Sequence, residues 1–398
     1  MSIVNIISAI GNNSSIYPLL VRDCGIEIPT KVGMTYSQNL KDSKDMANNA
    51  VRERLIDEYG TSAIWLGGIP FVDWLCNKAI RKLGFNPDIN PKLFNNNKIK
   101  SNIEKFKNTA PKEVEELKKV LNNKKTYEKL LAGKFVLSTV IPVTLMGFVL
   151  PKINFKLTEK LRNKKQKDMS KNKGDLSFKG LPTVLANVST VNKMAITDGG
   201  LTVGRVSTAR NKYEKMEMAF KMLSMMFLNF VAPIWIAKFF DKFSEKVFKT
   251  SVNLDPKILA DKEFINSVKK GGIKLPDTNI EAFFENNPDE MFSKLSNKFI
   301  YKGKLYKNGM TDPRTYIDEK ALNKFKEELD KFQTQAIKSG NIENFAKKAL
   351  KIKSVNILAN VALSSFLLAV VLPKVTFILR KRITGSDAEP GLVKQYKA

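Results

Sequence analysis

Four runs of apolar residues interrupt an otherwise lysine-rich chain, and three of them contain no charged residue. The runs lie at 61–76, 135–151, 222–237 and 354–373. A hydrocarbon layer about 30 Å thick needs about 20 residues of helix, and a soluble helix rarely avoids charge for that long. Lysines and arginines flank the run at 354–373 on both sides, as two polar membrane interfaces would select. The pattern predicts an all-α integral membrane protein, a bundle of about four membrane helices with lysine-rich amphipathic helices outside the bilayer.

Alternatives stay open for three of these runs. The run at 135–151 is short and contains Pro142, so a buried helix of a soluble domain is the other interpretation. The run at 222–237 continues into an amphipathic stretch that suits a membrane interface. The run at 61–76 is interrupted by Asp73, so it predicts a span, a re-entrant segment or a surface helix.

The polar stretches between the runs carry helical and hairpin patterns. Thr109 is a candidate N-cap for a helix with Pro111 in its first turn. An Asn308-Gly309 turn predicts a β-hairpin. A longer helix after Pro313 would be closed by Gly340 and would suit a helical hairpin or a coiled-coil partner. The residues predicted for the apolar faces are Val114, Leu117 and Leu121 in the first helix and Leu322, Phe325, Leu329, Phe332 and Ala336 in the second.

A shared V-L-P-K sequence suggests an internal duplication. It occurs at 149–152 and at 371–374, at the ends of two apolar runs. Convergence is the alternative, since Pro and Lys commonly end membrane helices. The duplication predicts two related halves that form a parallel repeat in the membrane. The predicted organisation is an N-terminal polar segment at 1–60, a membrane half at 61–165, a linker at 166–210, a second membrane half at 211–383 with a helical insert at 241–350, and a tail at 384–398.

The charge balance indicates an anionic partner. The chain has 67 Lys and Arg against 39 Asp and Glu, a formal net charge of +28. The lysines are spread along the chain without a nucleic-acid-binding motif, so we expect contacts with anionic lipid or an acidic protein rather than with nucleic acid. The residues expected at lipid head groups are Lys152, Lys156, Lys160, Arg162, Lys374, Arg380, Lys381 and Arg382. The amino terminus lacks the basic region of a cleavable signal peptide, which favours a multi-pass protein of the cytoplasmic membrane.

The composition excludes several kinds of catalytic and metal site. The chain has no histidine, which rules out Ser-His-Asp and Cys-His triads and His-ligated metals. Its two cysteines, Cys24 and Cys76, are expected to be free thiols. The glycine-rich segment 197–205 lacks the Lys and Ser/Thr of a phosphate loop, so it predicts a structural turn or a degenerate anion-binding loop. We expect no catalytic residues, no cofactor and no metal site.

Four polar residues inside the runs are candidates for an intramembrane site. Asp73 would mark an ion path or pair with a buried base, or it would pair locally with Lys78 or Arg81 at the interface. Asn229, Asn356 and Asn360 would hydrogen-bond between helices rather than bind a ligand.

These features predict a protein without enzymatic activity. The leading hypothesis is a membrane-embedded scaffold whose basic faces engage anionic lipid or an acidic partner. The alternative is a small parallel-repeat transporter or channel for an ion or small solute, with Asp73 lining the path. A membrane enzyme that works through carboxylates and lysines is a third possibility.

Overall fold

The computed structural model describes residues 2–12, 15–162 and 190–391. The described residues are 79% helical, which confirms the all-α class. Its α-helices are α1 (Ile3–Gly11), α2 (Tyr17–Arg22), α3 (Ile28–Asn39), α4 (Lys44–Ala63), α5 (Ile69–Lys82), α6 (Lys98–Lys105), α7 (Pro111–Asn122), α8 (Lys124–Thr144), α9 (Leu150–Arg162), α10 (Thr190–Thr208), α11 (Lys212–Met226), α12 (Ala232–Phe248), α13 (Pro256–Leu259), α14 (Lys262–Lys269), α15 (Ile280–Asn286), α16 (Met291–Leu295), α17 (Glu319–Lys338), α18 (Ile342–Phe366) and α19 (Leu372–Thr384). A short hairpin joins β1 (Tyr306–Lys307) to β2 (Met310–Thr311).

Five pairs of these helices are continuous, because a five-residue π-helical turn joins the two members of each pair. The π turns are Asp23–Glu27 between α2 and α3, Ile64–Gly68 between α4 and α5, Leu145–Val149 between α8 and α9, Phe227–Val231 between α11 and α12, and Leu367–Val371 between α18 and α19. A proline follows each of them as the second residue of the next α-helix. These prolines are Pro29, Pro70, Pro151, Pro233 and Pro373.

Proline explains why the π turns occur where they do. It has no backbone N–H, and its ring clashes with the carbonyl four residues earlier. Widening the helix by one residue removes that clash, and the residue before the proline then donates to the carbonyl five residues back. Leu150 donates in this way to Leu145, and Leu372 donates to Leu367. The helices therefore continue past their prolines.

Three of the continuous helices are long and apolar enough to cross a membrane. They are Lys124–Lys160, Lys212–Phe248 and Ile342–Thr384, with mean hydropathies of 1.8, 1.6 and 2.2 over their most apolar windows. Only 33%, 17% and 44% of these windows is buried inside the protein, so most of each window lies outside the buried interior. The helix 44–82, which contains the run at 61–76, does not meet the same criterion. The structure thus supports three membrane helices and does not confirm a bundle of four in two halves.

The shared V-L-P-K sequence lies inside two helices rather than at their ends. Helix α9 continues from Pro151 to Arg162, and α19 continues from Pro373 to Thr384. In both cases the valine ends a π turn and the proline follows it. Three other helices have the same arrangement without this sequence, so the arrangement does not by itself require a duplication. Duplication stays a prediction.

The chain forms two compact units. Unit 1 comprises 1–11, 78–131 and 236–359, and unit 2 comprises 12–77, 132–235 and 360–398, within the described residues. Each unit takes segments from both of the halves inferred from the sequence. The described part of the predicted N-terminal polar segment 1–60 is mostly helical: it contains α1, α2, α3 and most of α4.

Unit 1 contains a globular aromatic core. The apolar face of α17, consisting of Leu322, Phe325, Leu329, Phe332 and Ala336, is buried as its spacing predicts. Phe332 packs on Phe264 with ring centroids 5.5 Å apart. This face packs against α13–α16 and α18 of the same unit, and Phe332 contacts Phe345 of α18, so the helical-hairpin alternative describes it better than a coiled-coil partner.

Local signals in unit 1 are borne out with small shifts. The helix expected at Thr109 is capped at Ala110 instead, and Val120 rather than Leu121 completes its buried face. The Asn308-Gly309 turn is confirmed, since both residues have positive φ and the strands on either side pair. The strands are only two residues long.

Helix α10 corrects the interpretation of the glycine-rich segment. Residues 197–205 are helical, so they form neither a turn nor an anion-binding loop. Gly204 lies directly against Gly147 in a π turn: a Cβ on Gly204 would come within 3.0 Å of the Gly147 Cα. Close contact through small residues is typical of helix pairs in membranes. Helix α10 also occupies much of the described part of the predicted linker, 190–210, and the rest of the linker lies outside the described residues.

This contact predicts that Gly204→Ala destabilises the protein by about 1–3 kcal/mol, because the added methyl group overpacks the helix contact. The matched control is Gly199→Ala on the same helix, where a Cβ would meet only the Met226 side chain at 3.9 Å. Alanine favours helix over glycine by about 1 kcal/mol, so the control should be neutral or stabilising. Thermal unfolding in detergent measures both variants, and equal unfolding temperatures would contradict the packing argument.

Candidate functional site

Asp73 pairs with a buried base on another helix. Both of its carboxylate oxygens accept from the Lys193 Nζ, at 2.8 and 2.9 Å. The same Nζ donates to the Ser138 hydroxyl at 2.8 Å, and Lys193 is buried. Arg81, one of the two local partners considered, pairs instead with Asp88 at 2.6 Å. The Asp73–Lys193 ion pair therefore joins α5 to α10, and the Lys193–Ser138 hydrogen bond joins α10 to α8.

Each of the three asparagines has a protein partner. Asn229 accepts from Arg22 Nη2 at 2.9 Å, which joins a π turn to α2. Asn356 of α18 uses both ends of its amide on α12: it accepts from Ser244 and donates to Asp241. Asn360 accepts from Ser364 of its own helix. Asn229 and Asn356 thus make hydrogen bonds between helices, whereas Asn360 does not.

The residues expected at lipid head groups fall into three groups. Lys152, Lys156, Lys160, Lys374 and Arg382 are exposed. Lys381 is exposed and pairs with Asp387, and the side chain of Arg162 lies outside the described residues. Arg380 is only 2% exposed and binds Glu217 and Glu389. The Arg380 guanidinium therefore lies in the interior of unit 2, which corrects the expectation that it contacts lipid head groups.

Unit 2 encloses a set of buried and half-buried charged side chains that the sequence analysis missed. We call this set the ion-pair network. Its bases are Arg22, Lys31, Arg54, Arg205, Arg210, Lys221 and Arg380, and its acids are Asp23, Glu27, Glu53, Asp57, Glu58, Asp198, Glu214, Glu217 and Glu389. The acids outnumber the bases.

One end of the network surrounds a cavity of about 80 Å³. Arg210 binds Glu53 at 3.1 Å and Glu214 at 2.8 Å, so it joins α4 to α11. Arg380 of α19 binds Glu217 at 2.5 Å and Glu389 at 3.2 Å. The residues after α19 are thereby held at the rim of this cavity.

Glu389 shows how strongly the network favours charge. Burial alone would raise its pKa, but the charges of Arg380 and Arg54 lower the pKa of Glu389 to about 2. The Asn39 side chain accepts from the Glu389 backbone N–H at 3.3 Å, and Asn211 donates to the Pro390 carbonyl at 2.7 Å. The segment is fixed by both charge and backbone contacts.

The other end of the network surrounds a second cavity of about 60 Å³. Arg205 of α10 binds Asp57 at 2.6 Å and Thr61 at 2.5 Å. Lys221 binds Glu58 at 3.2 Å, and both line this cavity. Lys31 pairs with Glu27 one helical turn away. Arg205 and Lys221 line both cavities.

The network was missed because its residues resemble those of solvated helices. Glu53, Arg54, Asp57 and Glu58 occur in a segment that was classed as polar on composition. A usable signal exists on α11: Glu214, Glu217 and Lys221 are spaced by three and four residues, directly before an apolar run. A charged stripe on a helix that then becomes uniformly apolar indicates a face turned toward other protein.

Comparison with known proteins assigns no role to the ion-pair network. No protein family, curated protein or solved structure matches this chain. Among the described residues, no group of three or more Cys, Asp and Glu is arranged to hold a metal ion. The geometry of unit 2 is therefore the basis for any functional conclusion.

Burial of Arg380 predicts a large stability difference between neighbouring basic residues. Arg380→Met removes the ion-pair partner of Glu217 and leaves Glu389 with Arg54 alone, so we expect a loss of about 3–5 kcal/mol, because these half-buried carboxylates are then poorly compensated. The control, Lys381→Met, removes an exposed ion pair worth at most about 1 kcal/mol, since water screens it. Chemical unfolding in detergent measures the difference. Similar losses in both variants would show that Arg380 does not hold the network together.

Proposed function

We propose that unit 2 is a membrane-embedded transport unit for an ion or small solute. The observation that carries this proposal is the ion-pair network, which lines two cavities among helices that continue into lipid-length apolar segments. Ionisable groups inside membrane bundles are costly, and they commonly mark ion, proton or substrate paths. A role of this kind accounts for charge that faces the interior.

A protein that acts only as a scaffold would not need buried charged side chains. Each buried ion costs several kcal/mol of desolvation, and an apolar interior of similar volume is often as stable as a buried ion pair or more stable. A protein that only presented a basic surface to lipid or to an acidic partner could keep its charges in water. The buried network therefore favours the transport hypothesis over the scaffold hypothesis.

The π turns support the same proposal. Asp23 and Glu27 lie in one π turn and Asn229 in another, so widened helix turns contribute polar groups to the interior. π turns are frequent at functional sites, and transporters commonly bind ions where membrane helices are interrupted. Here the prolines fix the positions of these interruptions.

We further propose that the run at 61–76 is a fourth membrane segment and that the four segments form two related halves. The apolar side chains on this part of α5 support the first point, because Phe71 and Trp74 are 57% and 55% exposed. Such rings suit lipid or the membrane interface. The common position of the V-L-P-K sequence after a π turn is compatible with the second point.

Blocking the second cavity tests transport. Ser62 lines this cavity, so Ser62→Phe should fill it and reduce flux at least tenfold in proteoliposomes. The control is Ser37→Phe, which adds the same ring at an exposed position. Potassium, sodium and chloride gradients, read with a voltage-sensitive dye, provide the assay, and Ser62→Ala should retain flux. The transport proposal is wrong if wild-type protein of verified insertion moves none of these ions or protons.

A second function, binding of anionic lipid, is favoured by a separate observation. Lys152, Lys156 and Lys160 are exposed and spaced by four residues, so they form one basic face on α9. This face follows the apolar run at 135–151, where lysines can reach head groups. We propose it as a lipid contact that is compatible with transport.

Replacing all three of these lysines by glutamine should reduce retention of phosphatidylglycerol severalfold during detergent purification. Each lysine near an anionic surface contributes about 1 kcal/mol. The control makes the same charge change on exposed lysines of unit 1, with Lys112→Gln, Lys118→Gln and Lys320→Gln. Phosphatidylcholine retention should not change. Equal phosphatidylglycerol losses in both triple variants would mean that net charge, and not this face, governs lipid binding.

A further inference from the structure

Asp198 differs from the other acids of the ion-pair network. Each of the others lies beside a base, whereas the Asp198 carboxylate makes no ion pair with a described residue. Asp198 lies on α10 and lines the cavity of about 60 Å³ together with Asp23. The surplus of acid over base in the network therefore falls at this cavity.

Polar atoms that make no hydrogen bond converge on the same cavity. The Trp65 indole N–H, the Arg205 Nε and the Asp23 Oδ1 are buried and have no hydrogen-bond partner among the described residues, and the Asp23 Oδ1 lies 3.6 Å from the Arg22 Nε. All three residues line the cavity, and Trp65 is only 5% exposed. Buried donors and acceptors are rarely left unpaired, so these atoms point to a polar occupant.

The occupant that fits this lining is water in contact with a titratable carboxyl group. A cavity of about 60 Å³ exceeds the roughly 15 Å³ that one water requires. Two N–H donors and one carboxylate acceptor can hold a short chain of waters. No three acidic or cysteine side chains among the described residues are arranged for a metal ion.

We propose that Asp198 is a proton-binding site and that the proton is the ion, or the coupling ion, of the transport unit. This inference rests on the transport function proposed above. A hydronium ion in the cavity transfers its proton to an Asp198 carboxylate oxygen, leaving water and a neutral carboxylic acid. Release returns the proton to water and restores the carboxylate.

The groups around Asp198 set its protonation. Arg205 of the same helix favours the charged carboxylate, while Glu27 across the cavity favours the neutral acid. Asp23 of the first π turn, Glu58 of α4 and Lys221 of α11 also line the cavity. Helix α8 and its π turn contribute Val143 and Gly147, which carry no charge.

The balance of these effects keeps Asp198 titratable near neutral pH. Burial raises the pKa of Asp198 to about 7, against the opposing charge of Arg205. The chain contains no histidine, so a transition near neutrality cannot come from an imidazole. Asp23, Glu27, Glu58 and Lys221 are the other titratable groups that line this cavity, so variants of Asp198 are needed to assign the transition.

Trp65 provides a native reporter for the test. In the background Trp74→Phe and Trp235→Phe, it is the sole tryptophan, and the two replaced residues are 55% and 62% exposed. The fluorescence of this full-length protein in detergent should change in a single transition with a midpoint near pH 7. Asp198→Asn should abolish the transition, while Asp198→Glu should keep a transition at a shifted midpoint. The control is Glu263→Gln, which removes an exposed carboxylate of unit 1 and should change nothing.

Further outcomes separate this inference from the transport proposal. Asp23→Asn should lower the midpoint of the Trp65 transition, because it removes a neighbouring acid. Loss of the transition in Asp23→Asn, together with its persistence in Asp198→Asn, would overturn the assignment.

Proteoliposomes with a pH dye inside should acidify under an imposed proton gradient, and Asp198→Asn should reduce the rate of acidification at least tenfold. Absence of the Trp65 transition with intact potassium or sodium flux would reject the proton site and leave transport standing. A Trp65 transition without flux of any ion would reject transport, and with it the role of the proton as transported ion.

Discussion

A guanidinium or carboxylate buried among helices costs several kcal/mol unless an opposite charge lies within hydrogen-bond distance, and the interior of unit 2 is arranged around that requirement. Arg210 can bind Glu53 and Glu214 only while α4 and α11 keep their registry. Arg380 sets the same condition for α11 and α19. The ion pairs therefore define one relative position of these helices, which apolar packing alone would fix less specifically.

The prolines limit how the helices can meet this requirement. Each π turn adds one residue to a helical turn and so rotates the side chains beyond it relative to those before it. In the helix 17–39, Asp23 and Glu27 lie within the π turn and are buried. In the helix 212–248, Asn229 lies within the π turn and accepts a hydrogen bond from Arg22. Charge pairing and backbone geometry thus depend on each other in unit 2. The position of α10 also depends on close packing: Gly204 lies against Gly147, and a Cβ on Gly204 would come within 3.0 Å of the Gly147 Cα.

The sequence predicts those features that depend on one segment alone. The helical class, the apolar face of α17 and the Asn308-Gly309 turn follow from periodicity and local turn chemistry, and three of the four apolar runs lie in helices long enough to cross a membrane. Features that depend on partners distant in sequence were not predictable. A buried base was one of the alternatives for Asp73, but the sequence did not indicate that this base is Lys193, and Arg380 was expected at lipid and is buried. Composition cannot distinguish a charge facing water from one facing another helix.

Arg205 and Lys221 connect the two ends of the ion-pair network. Both side chains line both cavities, and both are held by acids of α4. On the transport proposal, an ion that moves between the cavities must pass these two bases. Both bases are paired with acids, and a proton can move through hydrogen-bonded waters and carboxyl groups of such an arrangement without the vacant channel that a hydrated metal cation would need. The charge arrangement therefore favours proton movement over the passage of a hydrated metal cation.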